Sequence, residues 1–153
     1  MILSVWHTSW TVSDLDRSIA FYTEQLGFEL IAVKERTGTF IEQVVGMPDA
    51  NLRIAVLKIP NAQEIPSGHQ LELIQYVEPR GATLDLRTNN VGAAHLALET
   101  DDIHETYDRL SRNGVAFVST PVLIESDGNA GGYACYLRDP DGFTVELVQP
   151  PPQ

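Results

Sequence analysis

Cysteine is nearly absent from this chain of 153 residues, with Cys135 standing alone, so no intrachain disulfide framework is possible. Positive charge is scarce as well: 10 Lys and Arg stand against 21 Asp and Glu, a formal net charge of −11. A chain so acidic offers no basic stripe to neutralise phosphates or anionic lipid, so neither nucleic acid nor a membrane surface is expected as a partner. Long apolar runs are missing too. The opening MILSVWH is apolar but lacks a charged leading segment and is soon interrupted by polar residues, so no targeting segment is expected and the expected location is the cytoplasm. What remains, with 43% hydrophobic and 20% charged residues, is the composition of one globular domain or of two small halves.

The punctuation of the chain repeats. A strand-like Leu3 to Val12 is followed by Ser13-Asp14-Leu15-Asp16, in which Ser13 with an acidic residue three places on predicts a capped helix start. Leu15, Ile19, Tyr22 and Leu26 fall on one helical face, and Gly27 suits the left-handed residue that ends such a helix. Strands are expected at Phe28 to Glu35, Leu52 to Ile59 and Gln70 to Tyr76. After a polar stretch the pattern restarts. His7 lies seven residues before Asp14 and His95 seven before Asp102, each of these Asp residues at an expected helix start. The second helix is expected over Asp102 to Asn113 with Gly114 after it, then strands at Val115 to Ser119, Tyr133 to Arg138 and Phe143 to Gln149, the last two joined by the tight turn Asp139-Pro140-Asp141-Gly142. The fold class is therefore α+β, two βαβββ modules at 1–76 and 92–149 with a linker at 77–91.

The closing strands of the two modules match. QLELIQY (Gln70 to Tyr76) and TVELVQP (Thr144 to Pro150) are apolar runs interrupted by one glutamate, with a glutamine three places further on. Alternation puts Glu72 on a face with Gln70 and Ile74, and Glu146 on a face with Thr144 and Val148; His7 shares a face with Val5 and Ser9, His95 with Ala93 and Ala97. A carboxylate among buried neighbours needs a cation, a donor or water. Taken singly, a strand histidine is more often structural and a strand glutamate more often solvated. Both types at matching places in two copies of one unit are a suitable ligand set for a divalent transition metal. Trp6, Phe21 and Phe28 are most simply core, and His69 and His104 are assigned no role.

Four stretches, HTSWTVSDLDRSIAFYTEQLGFEL (His7 to Leu30), QLELIQY, GAAHLALETDDI (Gly92 to Ile103) and LRDPDGFTVELVQ (Leu137 to Gln149), resemble the vicinal oxygen chelate superfamily. That group contains glyoxalase I, methylmalonyl-CoA epimerase, extradiol dioxygenases and the fosfomycin and bleomycin resistance proteins. The resemblance covers nearly all of residues 1–153. It implies a glyoxalase-like fold whose curved mixed sheets form a metal-binding cleft, a ligand set of His7, Glu72, His95 and Glu146, and one divalent ion per site, drawn from Ni, Co, Mn, Zn and Fe. Relatives are commonly homodimers that act on small molecules, and some exchange modules between chains.

Glu72 directs the choice among branches, because the dioxygenase-like and fosfomycin-modifying patterns leave its position unused. A metal-dependent isomerase, epimerase or lyase is implied, acting by proton abstraction beside a chelated carbonyl, with Glu146 and Glu72 as both ligands and bases. The alternatives are an Fe(II) dioxygenase and a non-catalytic ligand-binding or resistance protein. Where glyoxalase I relatives hold glutathione with an arginine and an asparagine, this chain has Thr11 and Tyr76; where the acyl-CoA epimerases carry a separate glutamate base, it has Arg53 to Val56. Arg36 to Ala50 is expected to be a loop or short helix over the pocket, with Trp10 and Phe40 as candidate substrate contacts.

Overall fold

A computed structural model describes residues 5–60, 70–126 and 128–152. They fall into two compact units, Met1–Thr83 and Leu84–Gln153. The start of the first expected strand, at Leu3, and the histidine at position 69 lie outside the described residues.

The first unit runs β1 (Thr8–Thr11), α1 (Leu15–Ala20, continued as one π-helical turn over Phe21–Gln25), β2 (Glu29–Arg36), α2 (Thr39–Val45), β3 (Asn51–Lys58) and β4 (Leu71–Glu78). Its four strands form one mixed sheet in the order β1-β4-β3-β2, with β1 parallel to β4 and the other pairs antiparallel. Alternation along β4 decides the faces. Leu71 and Leu73 are buried with Ala55 and Leu57 of β3 on the side of α1, which contributes Leu15, while Tyr22 of the π-helical turn joins the same core. Glu72, Ile74 and Tyr76 therefore share the other face with their register partners Val56, Ile54 and Leu52. Onto that second face α2 packs through Ile41, in a cluster with Ala50 and Leu52 against Val45, Ile54, Ile74 and Tyr76.

The first helix start corrects the expected cap by one residue. Asp14, in extended backbone, accepts the hydrogen bond from the Arg17 amide at 3.0 Å, and Ser13 Oγ instead accepts from the Arg17 guanidinium. A carboxylate placed one residue later reaches the free amide directly, which leaves the serine hydroxyl for the side chain.

The second unit repeats the plan: β5 (His95–Glu99), α3 (Ile103–Arg112), β6 (Val122–Leu123), β7 (Tyr133–Arg138) and β8 (Thr144–Gln149), in the sheet order β5-β8-β7-β6 with β5 parallel to β8. Ile103 and Leu110 of α3 are fully buried, as are Leu137 and Val145 on the helix side of the sheet. Asp102 caps α3 by accepting from the Glu105 amide at 2.9 Å. Gly27 and Gly114 end the two helical segments with φ of 75° and 83°, a conformation a side chain resists. At the β7–β8 turn, buried Asp139 accepts from the amides of Asp141 and Phe143 at 2.9 and 2.8 Å, locking the register of the two strands. The two βαβββ-type modules of the expected α+β class are thus present, each with a four-stranded mixed sheet.

One expected strand did not form. Val115 to Ser119 makes only an isolated bridge, Phe117 with Leu137, flanked by hydrogen bonds Val118 N to Tyr136 O and Arg138 N to Ala116 O. The chain bends over 118–120, ahead of Pro121, which has no amide to continue a ladder, and the edge is taken by the two-residue β6.

The repeated glutamine also has its reason. Gln149 Oε1 accepts from the Ile103 amide at 2.9 Å, the first turn of α3. Gln75 Oε1 accepts from the Leu15 amide at 3.4 Å and its Nε2 donates to Ser13 O at 3.1 Å, the start of α1. Three residues along a strand reverses the face, so each closing strand points a glutamate one way and a helix-start acceptor the other.

Candidate metal centre

Each module brings one histidine and one glutamate together. In the first, His7 directly precedes β1, whose Thr8 and Ser9 lie opposite Leu71 and Glu72 of β4; His7 Nε2 stands 3.6 Å from Glu72 Oε2. In the second, His95 and Ala97 of β5 lie opposite Thr144 and Glu146 of β8, and His95 Nε2 stands 3.2 Å from Glu146 Oε2. The parallel pairing of first and last strand is what makes these neighbours. It sets a histidine and a glutamate from opposite ends of a module side by side on the face that α1 or α3 does not cover.

Two electron-rich atoms at this distance need a proton or a cation between them. Metal–ligand bonds of about 2.1 Å place two ligands of one ion about 3.0 Å apart at a right angle and about 3.4 Å apart at the tetrahedral angle. The observed 3.2 and 3.6 Å fall at or near that range. In both pairs Nε2 is the nitrogen turned to the carboxylate, while His7 Nδ1 is buried with no hydrogen-bond partner among the described residues. Each pair thus has the donor types and the spacing of two ligands of a divalent ion. Among the described residues no group of three or more His, Cys, Asp or Glu side chains gathers as a ready-made site.

The surroundings of the two pairs differ. Glu72 lies opposite Val56, which is 4% exposed, in a face that continues through Ile54 and Ile74 to the cluster under α2. Glu146 lies opposite Tyr136, whose ring centroid is 5.6 Å from that of His95. Sequence reasoning passed over Tyr136, although alternation with buried Cys135 and Leu137 already assigns it to the glutamate face. Next along that face Arg138 is engaged in holding the chain, its Nη1 donating to Leu86 O, Gly142 O and Thr144 Oγ1. Behind the sheet, burial pushes the Cys135 thiol up to about 11, with the Glu146 charge adding to the effect.

The two candidate aromatic contacts are placed differently. Trp10 pairs in register with Leu73, on the helix side of the sheet, and its ring packs on buried Tyr22 at 5.8 Å. It faces away from Glu72. Phe40 does stand in a short helix, as expected of Arg36 to Ala50, and that helix lies on the Glu72 face, but the Phe40 ring is 71% exposed. Thr11 ends β1 and is exposed, and Tyr76 packs into the cluster under α2.

Comparison with known proteins decides the family. The model of the Glyoxalase/Bleomycin resistance protein/Dioxygenase superfamily matches residues 4–147. The chain belongs to that superfamily. Members of it that the chain resembles include a 2-epi-5-epi-valiolone epimerase of Actinomyces, 29% identical over 97% of this chain and 80% of the relative. A probable lactoylglutathione lyase of Vibrio parahaemolyticus is 28% identical over 95% of this chain and 89% of its own length. Among solved structures of the superfamily's fold, a glyoxalase family protein of Bacillus cereus superposes with a TM-score of 0.79 at 24% identity, covering 99% of this chain and 97% of that one. No helix among the described residues is long and apolar enough to cross a membrane.

Proposed function

We propose that this protein is a metal-dependent isomerase, epimerase or lyase that moves a proton on the carbon next to a carbonyl of a small oxygenated substrate. The observation that carries it is the repeated pair: a histidine nitrogen and a glutamate oxygen within 3.2 to 3.6 Å, on the face that α1 or α3 leaves uncovered in each module. In this proposal His7 and Glu72 meet His95 and Glu146, of the same chain or of a second copy in a homodimer, and the four side chains hold one divalent ion. When bound, such an ion supplies Lewis-acid polarisation of a carbonyl and the oxygen beside it, which acidifies the intervening C–H. The chain's own part is proton traffic. A carboxylate at one side accepts the proton at an Oε atom and returns it, or the carboxylate of the other module delivers one to the opposite side of the carbon.

Two features favour this chemistry on a substrate other than a glutathione adduct. The places that a guanidinium and a carboxamide would occupy hold Thr11, which carries no charge, and Tyr76, which packs against Ile41, Ala50 and Leu52. The epimerase named above is also among the relatives, beside the lyases. The test is solvent exchange. Protein loaded with Ni²⁺ or Co²⁺ is incubated anaerobically in D₂O with a panel of hydroxy ketones and 2-oxo acids, and loss of the C–H signal next to the carbonyl is followed by proton NMR. Metal-dependent exchange that stops with EDTA is expected. Metal-replete protein that exchanges no member of the panel but consumes oxygen with catechols would move the assignment to a dioxygenase; tight binding of a ligand that survives chelation, with no turnover, would move it to a sequestering protein.

A further inference from the structure

The two members of the second pair are held unequally. Glu146 stands inside β8, with β5 on one side and β7 on the other. His95 is the first residue of β5, an edge strand that pairs with β8 alone, and the chain ahead of it belongs to no strand. Strand ends with a neighbour on one side only are where a sheet opens most readily. A ligand in that place keeps its position if the chain entering the strand is fastened. Among the described residues, the hydrogen bonds of residues 84–90 stay within the segment 84–93, Arg87 to Asp85 and Asn90 to Asp85 O and Arg87 O among them, with one exception. The exception is Arg138. Its Nη1 donates to Leu86 O at 3.3 Å, to Gly142 O at 3.2 Å and to Thr144 Oγ1. Close packing does not duplicate the link, because a cavity of about 360 Å³ opens there, lined by residues 84–87, Asp141, Gly142 and Arg138 itself.

Register carries the link to the ligand pair. Arg138 is the cross-strand partner of Thr144, and Thr144 is the partner of His95, so the three form one row across β7, β8 and β5. One nitrogen thus joins the chain that enters β5, the turn that enters β8 and the residue against which His95 lies. The first module shows no such tether among its described residues: past the Leu57–Leu71 pair of β3 and β4, Lys58 pairs with Glu29 of β2 at 3.4 Å. We infer that Arg138 is a positioning residue for the second ligand pair: by pinning Leu86 O, Gly142 O and Thr144 Oγ1 to one nitrogen, it keeps His95 at ligand distance from Glu146. The inference rests on the metal-dependent function proposed above. Charge and position give opposite signs here, which makes the role separable. A guanidinium repels a divalent ion, so losing its charge alone would tighten metal binding. Losing a group that orients ligands weakens it, by about 10–100-fold where the contact is direct.

The experiment titrates the full chain with Co²⁺ by calorimetry and records the visible absorption of the bound ion, which reports the geometry of its ligands. Wild type is compared with Arg138→Met, which removes charge and donors, and with Arg138→Lys, which keeps the charge but is one bond too short to span the three oxygens. Gln149→Leu is the control, since it removes a hydrogen bond from the same module away from the Arg138 row. The expected result is Co²⁺ bound roughly tenfold more weakly by Arg138→Met, with an altered absorption band, and more than twofold more weakly by Arg138→Lys. Gln149→Leu should match wild type in both readouts. Affinity in either Arg138 variant that is within twofold of wild type, or tighter, would overturn the inference while leaving the metal site standing; Arg138→Lys decides by the same criterion if Arg138→Met does not fold. An equal loss of affinity in Gln149→Leu would also overturn it, since any loosening of the module would then have the same effect. Wild type that takes up no cobalt would overturn the proposed function, and this inference with it.

Discussion

Replacing Glu146 with Gln removes one negative charge and almost no volume, so its effects on the fold and on the metal separate cleanly. In the metal-free protein Glu146 has His95 as its ion-pair partner among the described residues and is about one-fifth exposed. The substitution should leave stability within about 1 kcal/mol of wild type, the range of partly exposed pairs. With metal the outcome changes. Altering groups that merely orient metal ligands costs about 10–100-fold in affinity, so neutralising a ligand itself should reach at least about 100-fold. At a concentration of Ni²⁺ 100 times the wild-type dissociation constant, binding stabilises the wild type by about 2.7 kcal/mol; a 100-fold weaker variant retains only about 0.4 kcal/mol. For a chain of this size each kcal/mol moves the melting temperature by about 2–4 °C, so a metal-induced rise of about 5–11 °C should shrink to about 1–2 °C. Differential scanning calorimetry with and without Ni²⁺ measures it, and Glu72→Gln should behave alike if each module gives the ion two ligands. The reasoning is refuted if both variants show the wild-type rise.

Three further outcomes follow from the framework around the site. Gln149→Leu deprives the Ile103 amide of its acceptor, and the fully buried start of α3 should lose about 1–2 kcal/mol in urea unfolding, with the metal-induced rise in melting temperature retained. The hydrogen bond from Arg53 holds the Asp16 carboxyl below its ordinary 3.8, so the difference in urea midpoint between wild type and Asp16→Asn should be full at neutral pH and vanish as the pH falls below that value. Burial raises the Cys135 thiol to about 11, so iodoacetamide at pH 8 should modify native protein far more slowly than urea-unfolded protein; equal rates would show that the thiol is not enclosed.

Much of the site was legible from spacing alone because the two signals involved are local. Strand alternation assigned Glu72 and Glu146 to the face away from the leucines, and the register bears that out in both modules. Helix starts were readable to within one residue, since an aspartate or serine can reach only the amides of the next turn. Contacts across the sheet were another matter. The expected strand at Val115 to Ser119 depended on how much ladder the neighbouring β7 could offer ahead of Pro121, which no local pattern encodes. Trp10 shows the same limit: its ring packs beneath the helix because its partner is Leu73, far along the chain, a pairing decided by the parallel register of β1 and β4.

By itself, then, the sequence determined which residues alternate, where helices begin, and that one module is used twice with a histidine near its first strand and a glutamate in its last. Only the tertiary structure decided that each histidine stands 3.2 to 3.6 Å from its own module's glutamate, that Tyr136 faces one and Val56 the other, and that the repeated glutamines fasten the helices. The division has a physical cause. Periodicity and capping are set by neighbours within a few residues, whereas the distance between two strands is set by which hydrogen-bond register buries Leu71 and Leu73 in the first unit, and Val145 and Leu147 in the second, on the helix side of their own sheet.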